Sequence, residues 1–427
     1  MALELSNLTF TDEDDIVPES GQYYPIFNTY IANTLAGNDS ITGTISDDYP
    51  YYDPNNYSGF INWGELNTDG GNDIITGSVG YARHSGRPSG YNIINFGTLN
   101  TGEGNDRIDG SHQNGGYFPS YTGIENSGTL NAGEGDDTIT GFGSGFEGFA
   151  NYGTLNTEDG NDIITAISGY NYTHGYSGIG FLNGEGSTLD MGEGNDTIIG
   201  SSSGSSFTSG IVNWFGSTIN TGNGEDFILS EGMFRNGGEV FLGQGNDSIT
   251  FTNFYERAVW NNNFIGTGDG DDIITSNRSI YNEGVIDTGD GDDSIIVDGG
   301  FDDITGTTYG IYNNGGAINM GDGNDSIIAN EGFESGPNSS GAWFLGEGDD
   351  YIKGYGSGDF YGGNGNDTLE LTPGSYTVGI WGEGQDTSVI FTKGNQLMIT
   401  SEFEQLRAGS TIYDFTSLTA GQTIVVA

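Results

Sequence analysis

Fourteen times along this chain a carboxylate follows closely spaced glycines, in the string G-x-G-[N/D]-D-x-[I/L] or an altered form of it. The full copies are GEGNDRI, GEGDDTI, GEGNDTI, GQGNDSI, GDGDDII, GDGDDSI, GDGNDSI, GEGDDYI and GNGNDTL, beginning at Gly102, Gly133, Gly192, Gly243, Gly268, Gly289, Gly321, Gly346 and Gly363. DGGNDII at Asp69, EDGNDII at Glu158 and GNGEDFI at Gly222 each carry one change, and LAGNDSI at Leu35 and GEGQDTS at Gly382 are worn end copies. The second acidic position marks the register: Asp39, Asp73, Asp106, Asp137, Asp162, Asp196, Asp226, Asp247, Asp272, Asp293, Asp325, Asp350, Asp367 and Asp386. A carboxylate beside glycines that free the backbone for φ > 0 is an oxygen-donor turn suited to a hard divalent cation.

The elements that position these turns are short. Successive markers lie 34, 33, 31, 25, 34, 30, 21, 25, 21, 32, 25, 17 and 19 residues apart. The smallest intervals suggest a coil of about 18 residues with variable insertions at one place. Eleven residues before the marker stands an Asn (Asn62, Asn95, Asn126, Asn151, Asn236, Asn261, Asn282), seven before it an aliphatic residue, thirteen before it another apolar residue, and two after it Ile or Leu. Three apolar columns per coil cannot be buried by one coil alone, whereas stacked coils bury a continuous core. Helical spacing is absent, and runs such as DIIT and GTLN, rich in Ile and Thr, read as strands. The predicted fold is all-β: a right-handed parallel β-roll or β-helix solenoid of about fourteen coils, roughly 65 Å long at the strand spacing, with a C-terminal antiparallel cap. Its expected organisation is an N-terminal cap over 1–34, repeats over 35–390 and a C-terminal cap over 391–427. Register already fades from Pro373. Stacked Asn amides are expected to hydrogen-bond along the axis.

The acidic turn resembles the nonapeptide G-G-x-G-x-D-x-U-x of RTX (repeats-in-toxin) proteins, over residues 35 to 390. That resemblance implies calcium, bound at many sites along a parallel β-roll. The chain departs from the pattern in two ways. Residues of the Thr221 and Met191 type replace the first Gly, and the opposite turn is N-x-G, as in INFGTLN from Ile94 to Asn100. One row of calcium sites is therefore expected, not two. The candidate ligands are Asp73, Asp106, Asp137, Asp162, Asp196, Asp226, Asp247, Asp272, Asp293, Asp325, Asp350 and Asp367. They are joined by the paired glycines Gly102 and Gly104, Gly133 and Gly135, Gly192 and Gly194, Gly268 and Gly270, Gly289 and Gly291, Gly321 and Gly323, Gly346 and Gly348, and Gly363 and Gly365. Successive carbonyls are expected to turn toward a common point, with neighbouring coils completing the shell. Magnesium is disfavoured by its demand for near-ideal octahedra, and zinc by the absence of Cys and the scatter of three His.

Composition narrows the partners. Sixty acidic residues against nine basic ones give a formal charge of −51, which excludes the clustered cations that nucleic acid requires. Low hydrophobicity at such charge ordinarily signals disorder, but 24 Tyr, 24 Phe and regularly spaced Ile contradict that. No run approaches the roughly 18 apolar residues of a membrane span, and the first twenty residues lack the basic start and apolar run of a secretory leader. Tyr-rich insertions at Ser46–Gly59, Val79–Asn92, Ser111–Gly123 and Ser168–Gly178 offer glycans or cell-surface material a contact surface. The same segments hold His84, His112 and His174, for which no catalytic companion is found.

The ending DFTSLTAGQTIVVA resembles the uncleaved type I secretion signal of RTX proteins, and a final edge strand would look the same. The expectation is a secreted, calcium-loaded, non-catalytic surface, matrix or adhesion protein, with self-association open. The alternative is a polysaccharide lyase, epimerase or glycosidase built on the solenoid.

Overall fold

A computed structural model describes residues 2–18, 25–45, 58–79, 90–111, 121–169, 178–203, 208–254, 257–302, 306–336, 341–382 and 387–427. The insertions that carry most of the loop tyrosines, all three histidines, and the marker Asp386 lie outside the described residues. Two compact units, Met1–Glu239 and Val240–Ala427, are each a parallel β-solenoid.

In the first unit each coil contributes a strand to three parallel sheets. The first sheet contains Ser58–Asn62, Gly90–Asn95, Tyr121–Asn126, Phe149–Asn151 and Ile179–Asn183. The second contains Glu65–Asn67, Thr98–Asn100, Thr129–Asn131 and Thr154–Asn156, and the third Ile74–Val79, Arg107–Gly110, Thr138–Ser144 and Ile163–Gly169. Register is set by like residue on like residue: Leu66, Leu99, Leu130, Leu155 and Leu189 stack in one column, and Ile75, Ile108, Ile139, Ile164 and Ile198 in another. The third column is Phe60, Ile93, Ile124, Phe149, Phe181 and Ile211. All three columns are buried and face one another inside the coil. Alternation along a strand makes a one-residue slip costly, because it would turn every core residue outward.

The second unit repeats the plan, with Val259–Asn261, Ile280–Asn282 and Ile311–Asn313 in its first sheet and Phe264–Asp269, Val285–Asp290 and Ala317–Asn319 in its second. It ends in antiparallel strands. Gly374–Trp381 pairs with Ser388–Lys393 and with Thr423–Val426, and Gln405–Ala408 pairs with Thr411–Asp414. The C-terminal apolar run is therefore an edge strand of this closing sheet.

The Asn column forms a buried amide ladder. Asn62 Nδ2 donates to Asn95 Oδ1 at 2.8 Å, Asn95 to Asn126 at 2.8 Å, and Asn126 to Asn151 at 2.9 Å. Each Nδ2 also donates to a main-chain carbonyl, such as Thr129 O for Asn95. An amide carries both donors and an acceptor, so identical copies satisfy one another. The column also includes Asn28, Asn183, Asn213 and Asn313. Asn183 and Asn213 stand thirteen residues before their markers and Asn313 twelve, because extra turn residues intervene. Ser187 and Ser217 in the longer turns donate to Asn183 and Asn213 Oδ1 at 2.8 and 2.7 Å. Asn126→Ala would take one partner each from the Asn95 amide, the Asn151 oxygen and Thr154 O, which Asn126 now joins. The expected loss is about 2–4 kcal/mol, to be read from urea unfolding against wild type.

Candidate functional site

The Gly-Asp turns join the second sheet to the third. Their paired glycines all have positive φ, from 98° at Gly192 to 154° at Gly224. Close stacking accounts for the residue choice: a Cβ on Gly104 would lie 1.8 Å from Gly71 O, and one on Gly102 1.6 Å from Asp69 O. The turn backbones bond from coil to coil. Gly104 N–H donates to Glu134 O at 2.8 Å, Gly135 N–H to Asp159 O at 2.8 Å, and Glu103 N–H to Asp69 O at 2.8 Å. These carbonyls point along the stack to neighbouring amides, so the glycines serve turn-on-turn packing first.

Among the described residues the marker aspartates turn inward and none is more than 2% exposed. Within each unit Oδ1 accepts the main-chain N–H of the preceding coil's marker along the described column. Asp73 N–H donates to Asp106 Oδ1 at 2.7 Å, Asp106 to Asp137 at 2.7 Å, Asp137 to Asp162 at 2.8 Å, and Asp162 to Asp196 at 2.8 Å. Asp196 N–H reaches Asp226 Oδ1 at 2.7 Å. The second unit carries the same arrangement through Asp247, Asp272, Asp293, Asp325, Asp350 and Asp367. The other oxygen, Oδ2, is buried without a hydrogen-bond partner in Asp39, Asp73, Asp106, Asp137, Asp162 and Asp196, and in Asp272, Asp293, Asp325, Asp350 and Asp367. An unpaired buried carboxylate oxygen is costly unless a proton or a cation neutralises it.

Burial, reinforced by the charges of neighbouring aspartates, raises these carboxyls. Asp73, Asp162 and Asp293 are pushed up to about 6, and Asp137 and Asp196 to about 8. Asp325 and Asp367 are raised to about 7. The residue five before the marker tempers the effect. Thr68, Thr157 and Thr288 place a hydroxyl beside Asp73, Asp162 and Asp293, whereas Ala132, Met191 and Met320 precede Asp137, Asp196 and Asp325. Asp350, preceded by Leu345, rises only to about 6. The Thr68 proton itself lies on Thr101 O at 2.8 Å, so its nearness to Asp73 leaves Oδ2 unpaired.

Outside the marker runs a second, exposed column of opposite polarity. Asn105 N–H donates to Asn72 Oδ1 at 3.0 Å, and Asn161 N–H to Asp136 Oδ1 at 2.9 Å. Beyond it Asp69, Glu103, Glu134 and Glu158 edge an open groove floored by Gly102 and Gly133 and flanked by Asn67, Asn100 and Asn131. Among the described residues no three His, Asp or Glu side chains gather around one point.

Two groups escaped the sequence reading. Asp14 and Asp15 act as a further turn: Asp15 N–H donates to Asp39 Oδ1 at 2.8 Å, and Ile16–Val17 pairs with Ser40–Ile41. The signal was D-D-x-V without glycines. On the first sheet, the Tyr91 hydroxyl bonds Glu125, whose carboxyl is raised by burial and by Glu147. Tyr152 nearby is pushed to about 12 by burial and the same carboxylates. No repeat position announces this cluster.

No protein-family model matches the chain, and no curated protein matches it.

Raised carboxyls give the fold a pH dependence of definite sign. The folded ladder holds protons between its ordinary range near 3.8 and the raised values of about 6 to 8, while the unfolded chain releases them. In chelator, the stability these groups contribute is expected to be greatest near pH 4 and to fall as pH rises through 6 to 8. The fraction folded in chelator, followed by circular dichroism from about pH 4 to pH 9, checks this, and a fraction that rises with pH contradicts it.

Proposed function

We propose that this chain is a secreted, non-catalytic repeat scaffold whose aspartate column is neutralised by calcium. The supporting observation is the register of buried Oδ2 oxygens without partners, one per coil over much of each unit. Hard carboxylate oxygens in stacked pairs suit calcium, and this structural feature fits the metal that the RTX resemblance implies. When bound, calcium supplies the divalent charge that a dry column of like charges lacks. The protein's own residues hold the rest: each marker's Oδ1 keeps its neighbour's N–H, and the glycines let the turns stack closely.

In a compartment poor in calcium and near neutral pH, the ladder repels itself and the chain stays open for export. Outside, at millimolar calcium, it folds. This favours an extracellular matrix, surface or adhesion role, with type I secretion as the route. Circular dichroism during calcium titration of chelated protein is expected to show β structure appearing with calcium and not with equal magnesium. A β spectrum that is already complete in chelator and indifferent to calcium overturns the reading.

One observation favours a glycan-acting alternative: the half-buried Glu125 carboxyl has Glu147 and the phenols of Tyr91 and Tyr152 around it. Such pairs can share acid and base roles. Hydrolysis or lyase activity on neutral or acidic glycans that disappears in Glu125→Gln would establish it. A full glycan panel without turnover removes it.

A further inference from the structure

We infer that the outer face of the third sheet in the first unit is a self-association surface, and that its occupant is a second copy of this chain packed on it about a two-fold axis. This holds whichever ion or proton neutralises the aspartates. The unit has three outer faces. On the first sheet the outward Ile61, Ile94 and Leu182 are already buried, none more than 4% exposed. The second sheet is narrow, with strands of three residues bordered by the acids Asp69, Glu103 and Glu134. The third is broader: strands of four to seven residues run in register from Ser40–Ile45 to Phe227–Glu231.

Alternation along these strands sends Ile139, Ile164, Ile198 and Ile228 into the core and leaves the residues between them outside. Phe142, Ile163, Ile167, Ile199, Phe227 and Leu229 thereby share the outer surface, among threonines. Phe142 stands opposite Ile167 and Ile199 opposite Leu229 in neighbouring strands, so the large side chains form one patch. All six keep part of their surface in solvent, Ile163 as much as 41%. Parallel sheets are ordinarily covered on both faces, and contiguous exposed apolar patches mark interaction surfaces.

Charge decides between occupants. A chain of formal charge −51 repels its own copies wherever acids line the surface. On the seven strands from Ser40–Ile45 onward the only charged residues are Arg107, Asp109 and Glu231, and Arg107 is paired with Asp109. The exposed turn position bordering the sheet is Asn38, Asn72, Asn105, Asn161 and Asn195 in five coils, with Asp136 and Glu225 the exceptions. Two such polyanions can meet on this neutral face, whereas a basic partner would be drawn to the acid-lined groove. Sheets pack face to face with interdigitating side chains, and a two-fold axis brings the same patch to both sides. Seven strands about 4.8 Å apart and about 17 Å long offer about 500 Å² per copy. The roughly 1,000 Å² removed from a pair reaches the lower bound of a specific interface.

Sedimentation equilibrium of the full chain, in about 0.15 M salt to screen long-range repulsion, is expected to show 45.1 kDa copies pairing between about 1 and 100 µM. Ile163→Glu combined with Ile199→Glu, both on the outer face, is expected to weaken association by about a hundredfold with an unchanged circular dichroism spectrum. Ile163→Thr combined with Ile199→Thr copies residues already present on that face and is expected to weaken it by about tenfold, which decides the matter even where the glutamate pair fails to fold. The chain has no cysteine, so Ile163→Cys reports on the face directly. Its alkylation is expected to slow several-fold as dimer forms, while that of Thr129→Cys on the second sheet stays unchanged. A folded wild type that remains monomeric throughout overturns the inference. So does a dimer in which Ile163→Cys reacts as fast as in the monomer, or a folded threonine pair that associates like wild type.

Discussion

Stacking identical coils at strand spacing obliges every side chain to accept its own kind as neighbour. Leucine on leucine and isoleucine on isoleucine meet that condition without further help, because apolar contact needs no complement. Asparagine meets it because an amide donates and accepts at once. Aspartate does not meet it, since an ionised carboxylate only accepts. The three responses are visible in one coil: Leu99 buried on Leu66 and Leu130, Asn95 bonded to Asn62 and Asn126, and Asp106 with one oxygen satisfied and one not.

The half-satisfied aspartate is therefore the informative column. Asparagine there would accept the same main-chain N–H with Oδ1 and carry its own protons in place of Oδ2, giving a quieter ladder. The Asn column beside the opposite turn shows that this solenoid buries amides where each Nδ2 finds acceptors. Retaining a carboxyl at marker after marker makes folding respond to whatever neutralises it. A proton does so at low pH, and in the calcium reading proposed above a divalent ion does so at neutral pH. Either way, the corner converts solution conditions into stability, which a metal-free amide solenoid could not do.

Much of this was legible from spacing. Counting back from each marker found the columns headed by Leu66, Phe60 and Asn62, because the interval from the second sheet to the marker is invariant at seven residues. It failed where turns lengthen: Asn183 and Asn213 slipped by two residues, and only the ladder restored them. Spacing also said nothing about direction. The glycines were assigned to converging carbonyls, whereas Gly104 and Gly135 bring turn amides onto the carbonyls of adjacent coils. The inward course of the position five before the marker was likewise hidden, as Thr101 and Met191 look like ordinary turn-flanking residues in the string. The Glu125 and Tyr91 pairing depends on the lateral order of strands and has no linear signature.

Polarity also explains the ends. Because each marker N–H points to the next marker's carboxyl, Asp367, the last described marker of the second unit, has an N–H with no marker aspartate ahead of it among the described residues. Glu404 fills that place, its Oε2 accepting Asp367 N–H at 2.8 Å, while Leu406 pairs with Leu369 as the coil register requires. The first unit poses the opposite problem: Asp39 Oδ1 needs a donor from a coil that lacks the glycine signature. Asp15 N–H supplies it, and Asp14 Oδ1 in turn accepts Asn38 N–H at 2.8 Å, which starts the outer column of opposite sense. Segments whose sequences look unlike the repeat are thus held to its hydrogen-bond grammar. A directional ladder must be ended by a donor on one side and an acceptor on the other, whatever residues provide them.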